Sequence, residues 1–106
     1  MGSDKGFASY TMLTDRDSWH SWYDSIQNLC HVHFVWNYCD PDGTKQYNEE
    51  SSSEVRTGIR KVLERIDGTV TPTHRTFYEG CRTPREQLAK LRTMYEPTTQ
   101  DYKDLV

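Results

Sequence analysis

Long apolar runs are missing from this 106-residue chain. No window approaches the ~18 consecutive apolar residues of a membrane-spanning helix, and the first residues show no charged stretch leading into an apolar segment and a small-residue cleavage site. No membrane partner is expected. The six glycines are scattered singly, which leaves no loop to cradle a phosphate. The cysteines, Cys30, Cys39 and Cys81, are an odd set without the spacing of a disulfide scaffold. That is the pattern of reduced thiols in a cytoplasmic protein. A net charge of only −3 gives no general attraction to phosphate backbones.

Aromatic residues are plentiful: three Trp, seven Tyr and three Phe. Although a mean hydropathy of −0.92 would suit a disordered chain, so many regularly spaced aromatic anchors indicate folding from about Trp19 to Tyr95. A chain of this length buries roughly 60 to 70% of its unfolded surface, enough for one modest core. Residues 1–9 are expected to be a disordered tail, with Met1-Gly2-Ser3 reading as a cloning remnant, and residues 10–106 to be a single domain.

The strongest periodicity runs from Asp15 to Val32, where Trp19, Trp22, Tyr23, Ile26, Leu29 and Cys30 fall on one helical face. Thr14 with Asp17 suggests its capping box. The apolar run Val32 to Cys39 predicts a short second helix, with a buried strand as the alternative, stopped by Asp40-Pro41-Asp42-Gly43. Residues 43–53 read as a loop. Ser51 and Glu54 suggest a capping box for a helix carrying Val55, Ile59, Val62, Leu63 and Ile66, ended at Asp67-Gly68. Thr69 to Arg82 reads as a connector with at most one helical turn. Thr83 as N-cap, Pro84 at the first helical position and Glu86 at N3 start a helix carrying Leu88, Leu91 and Tyr95, stopped by Pro97. A further amphipathic segment carries Tyr102, Leu105 and Val106, and the domain is expected to continue in a longer protein.

The pattern predicts an all-α domain of four to five short helices. Its expected core is Trp19, Trp22, Ile26, Leu29, Trp36, Ile59, Leu63, Leu88 and Leu91, because amphipathic helices are stable when their stripes cover one another. Tyr23, Tyr38, Tyr78 and Tyr95 lie at stripe edges or near breaks, where partly exposed tyrosines serve interfaces.

Chemistry finds little support. Cys30, His31, His33 and Cys39 lie within ten residues of one another, yet the set lacks C-x2-C and an i,i+4 histidine pair, so buried thiols and exposed histidines are the expectation. No strained G-x-S-x-G turn is present, a Cys81/His74 pair is unremarkable, and Glu49-Glu50 and Asp40/Asp42 sit in polar loops. Neither enzyme activity nor a cofactor, metal or small-molecule substrate is expected. Arg56, Arg60, Lys61 and Arg65 form a candidate RNA-contacting face, interrupted by Glu64, which is four residues from Arg60 and suited to pair with it. Residues 1–54 hold nine acidic and three basic residues, and residues 55–106 ten basic and seven acidic. Such opposite halves favour self-association, the acidic half of one copy meeting the basic half of the next head to tail.

The order of features resembles a known family. Leu13-Thr14-x4-Trp19-x2-Trp22-Tyr23, leading to Val35-Trp36-x-Tyr38-x-Asp40-Pro41, is similar to the opening of Gag proteins from Copia-type LTR retrotransposons, the fungal branch especially. Val55-x3-Ile59-x6-Ile66-x2-Thr69-Val70 and Thr83-Pro84-Arg85-Glu86-x-Leu88-x2-Leu91-Arg92-x2-Tyr95-x-Pro97-Thr98 resemble the later capsid helices. The connection after Asp40 is shorter than in fungal members. Covering about residues 10–106, the resemblance implies a non-catalytic all-α capsid domain that self-associates into virus-like particles around element RNA, the RNA being packaged mainly by segments outside this sequence. The alternative is a small helical adaptor or effector that binds another protein, including a domesticated Gag.

Overall fold

Residues 10–48 and 50–95 are described by the structure, a computed structural model. A single 3₁₀ turn, Arg16–Ser18, leads into α1, Trp19–Val32. The capping box belongs to the 3₁₀ turn and lies one residue later than Thr14 and Asp17: the Asp15 carboxylate accepts the Ser18 N–H at 3.0 Å, and Ser18 Oγ accepts the Asp15 N–H at 3.1 Å. An ionised carboxylate is the stronger acceptor for these unpaired amides. Trp19, Trp22, Ile26 and Cys30 occupy the buried stripe of α1.

Helix α2 is one turn, Trp36–Cys39. After it, Asp40 Oδ1 accepts the Asp42 N–H at 2.9 Å and the Asp40 carbonyl accepts the Gly43 N–H, which closes the turn that Pro41 and Gly43 require. The next helix, α3, is Ser53–Thr69. Its N-cap is Ser52, whose hydroxyl accepts the Val55 N–H at 3.2 Å, so the cap lies one residue after Ser51 and the Ser51/Glu54 box gives way to a single cap bond, N3 being Val55. Gly68 does not end α3. The helix includes it and Thr69, because Thr69 is held by a buried partner described below, and Val70 then turns extended to pair with Leu13. The Leu13 N–H donates to the Thr69 carbonyl at 2.7 Å and the Thr71 N–H to the Leu13 carbonyl at 3.3 Å.

The connector contains one α-helical turn, α4 (Pro72–Arg75), and a 3₁₀ turn, Thr76–Tyr78. Gly80, at φ +90°, supplies the left-handed step. Helix α5, Pro84–Tyr95, begins as its sequence predicts: Thr83 Oγ1 accepts the Glu86 N–H at 3.2 Å, and Glu86 Oε1 accepts the N–H of Thr83 and of Arg82. The Pro97 stop, the segment carrying Tyr102, Leu105 and Val106, and the tail 1–9 lie outside the described residues.

The fold is all-α, with five helices and one isolated bridge among the described residues. Helix α1 lies against α3, and α5 spans α2, α3 and the Thr76–Tyr78 turn. Of the expected core, Trp19, Trp22, Ile26, Ile59, Leu88 and Leu91 are buried, whereas Leu29, Trp36 and Leu63 are only half-buried at its margin. Their places inside are taken by Leu13, Cys30, Val35, Cys39, Val62, Ile66 and Val70. Trp19 and Trp22 remain the largest fully buried side chains, so position on the helical stripe rather than size decides which residues go deepest.

Candidate functional site

The end of α1 carries the structure's most unusual local feature. The Val35 N–H reaches back to the Cys30 carbonyl at 2.8 Å and the Phe34 N–H to the His31 carbonyl at 3.1 Å, the two bonds of a Schellman stop. That stop needs a left-handed residue between them. Here it is Phe34, at φ +59°, in a place usually taken by glycine. Its ring gains no burial in return: Phe34 is 89% exposed and its neighbour Val32 68%. After Val32, the last residue of α1, the apolar run to Cys39 is therefore helical only over Trp36–Cys39, since the stop turns Val35 inward and Phe34 out.

Beside this knob, α3 is close enough to the end of α1 that a Cβ on Gly58 would stand 3.0 Å from both His33 Cβ and Val35 Cγ1. A cleft of about 350 Å³ opens there between Val32, His33 and Phe34 on one wall and Ser53, Glu54 and Thr57 on the other. A second, of about 390 Å³, continues along the same edge of α3. Leu29, Tyr10 and His33 give it apolar and aromatic walls, Lys61, Glu64 and Arg65 its charges. The Arg65 guanidinium lies over the Tyr10 ring, 3.8 Å from its centroid.

The expected interface tyrosines divide. Tyr23 is half-buried, tilted on Trp19 at 5.1 Å and edge-on to Trp36 at 6.2 Å. Tyr38 is half-buried in a third cleft of about 240 Å³, its ring edge-on to Tyr47. Tyr78 and Tyr95, however, are buried and belong to the core. Tyr95 stacks on Trp19 at 5.9 Å and closes that end of the interior. Tyr78 donates to Asp67 Oδ1 at 3.3 Å, and burial, with the Asp67 charge, pushes its phenol up to about 12.

The candidate RNA face is only partly free. Arg56 donates to the Ser51 carbonyl and Arg65 is engaged by Tyr10, while Arg60 and Lys61 are exposed. No Arg60–Glu64 pair forms among the described residues; the ion pairs there are Arg75–Asp67 at 3.8 Å and Arg92–Asp42. The second of these is bidentate, at 2.9 and 3.1 Å, and the Arg92 guanidinium holds the Asp42 carboxyl below its usual range. Arg85 donates to the Asp40 and Asn37 carbonyls, each at 2.8 Å. Part of the attraction between acidic and basic halves therefore acts within one molecule, across the α2–α5 contact. Sequence separation hid these partners.

Cys30 and Cys39 adjoin inside the core, where the Cys39 thiol and burial push the Cys30 thiol upward. Both behave as small apolar side chains. His31 points outward against Trp36, and His74 bonds Thr71 and stacks on Phe77 at 5.5 Å. Among the described residues no three of His, Cys, Asp and Glu converge on one point, and no helix is long and apolar enough to cross a membrane.

Comparison with protein-family models, with curated proteins and with solved structures finds no match.

Proposed function

We propose that this chain is a capsid-type association domain, of the kind its sequence resembles in Copia-type Gag proteins, and that its work is to dock onto copies of itself. In this reading it is a non-catalytic building block of a cytoplasmic virus-like particle, with element RNA held mainly by segments outside residues 10–95. One observation carries the proposal: an exposed, left-handed Phe34 beside Val32, standing over open clefts that the domain's own interior does not need. Exposed apolar groups held at a conformational cost mark contact surfaces. The exposed acidic residues Asp17, Asp24 and Glu54 and the exposed basic residues Arg60 and Lys61 supply opposite charges for such a contact.

Sedimentation velocity from micromolar to millimolar chain, at low and high salt, tests this. Mass should rise with concentration and fall with salt, because screened charge pairs weaken. A monomer at millimolar concentration overturns the reading and, if one unrelated protein is retained instead, favours the adaptor alternative. Electron microscopy of the full-length parent protein should show particles.

A further inference from the structure

We infer that two copies meet by a two-fold contact along the edge of α3, each placing its Phe34 in the cleft beside Lys61 and Arg65 of the other. This rests on the association reading and names its contact. Glu54, Thr57, Lys61, Arg65 and Gly68 succeed one another along that edge, and the two clefts they border share His33. Knob and socket are therefore neighbours on one face. A head-to-tail contact joins different faces, but a knob adjoining its own socket suits a two-fold axis, where each side gives and receives the same group.

Charge sets the register. The Phe34 end of the edge carries Glu54, and the socket end carries Lys61 and Arg65. Glu54 and Lys61 are seven residues apart, which is about 10 Å along a helix. Antiparallel apposition of two such edges sets the Glu54 of each copy opposite the Lys61 and Arg65 of the other, while parallel apposition opposes like charges. A cleft of about 390 Å³ with Leu29 and Tyr10 as walls has room for a phenyl ring, and a phenylalanine ring buries on the order of 150–250 Å². Glu64, in the same cleft, disfavours a phosphate backbone as the occupant.

The test uses the whole chain and sedimentation velocity. Phe34→Gly removes the ring at a position whose backbone suits glycine, so its fold, checked by circular dichroism, is retained. The dimer dissociation constant should rise at least about tenfold, as for loss of a central anchor. Glu54→Lys alone and Lys61→Glu alone should each weaken pairing. Mixed together, the two chains should pair again, since both contacts of the mixed dimer then join opposite charges, and the complex should stop at two subunits. If the unaltered chain associates but Phe34→Gly leaves it unchanged, or the mixture stays monomeric, the contact proposed here is overturned while self-association stands. Open-ended growth overturns the two-fold form. If Lys61→Glu lowers affinity for a single-stranded RNA without altering self-association, the socket serves RNA and the inference fails. A wild-type monomer at millimolar concentration defeats both readings.

Discussion

The indole Nε1–H of Trp22 donates to the Thr69 hydroxyl at 2.8 Å, joining α1 to the last turn of α3 inside the core. Thr69 is 2% exposed, and its hydroxyl in turn donates to the Arg65 carbonyl at 2.6 Å. One hydroxyl thus satisfies a buried indole and holds the end of α3 in helical form through Gly68. Thr69→Val should lower stability by about 1–3 kcal/mol, because the indole N–H stays buried without a partner. Thr69→Ser, which keeps the oxygen, should lose less. Urea unfolding followed by tryptophan fluorescence measures both, and a loss in Thr69→Ser as large as or larger than that in Thr69→Val would overturn the leading role given to the hydrogen bond.

Two glycines of α3 should respond oppositely to alanine. At Gly58 the added methyl meets His33 and Val35 at 3.0 Å, and overpacking of this kind costs about 1–3 kcal/mol. At Gly68 nothing lies within 4 Å, so relief of helix-interior glycine should stabilise by up to about 1 kcal/mol. Thermal unfolding of the two variants gives the sign directly.

Phe34→Gly should strengthen the fold. A left-handed non-glycine residue costs roughly 1–2 kcal/mol, and an 89% exposed ring returns little of it. A rise of about 1 kcal/mol in unfolding free energy is expected even as pairing is lost. A fall would mean the ring stabilises the monomer.

Stability should decline at both ends of the pH scale. The Asp42 carboxyl is held down by Arg92, and the Glu86 carboxyl by the backbone N–H groups of Arg82 and Thr83. Their contributions are complete above the unfolded carboxylate pKa of about 4 and are lost as pH falls through the lower folded values. Tyr78 acts in reverse: with its phenol pushed up to about 12, its contribution is present below the unfolded pKa of about 10 and fades as pH rises from there towards 12. Denaturant midpoints across pH should show a shallower acid limb in Asp42→Asn and a shallower alkaline limb in Tyr78→Phe. Unchanged limbs would assign the pH dependence to other groups.

The sequence by itself determined the helices α1, α3 and α5, the Thr83/Glu86 cap, and a tryptophan-bearing core, since helical periodicity and capping act over a few residues and are written in local spacing. Only the tertiary structure decided which stripe residues go deepest, and why Tyr78 and Tyr95 are interior while Phe34 stands outside. It also matched Arg92 to Asp42 and Trp22 to Thr69, partners 50 and 47 residues apart. The Schellman stop at Phe34 carries no glycine to announce it, and an aromatic residue in an apolar run reads as core. Its exposure follows from how α1 must end for Val35 to seat on Gly58, a requirement set by the close approach of two helices and absent from either segment alone.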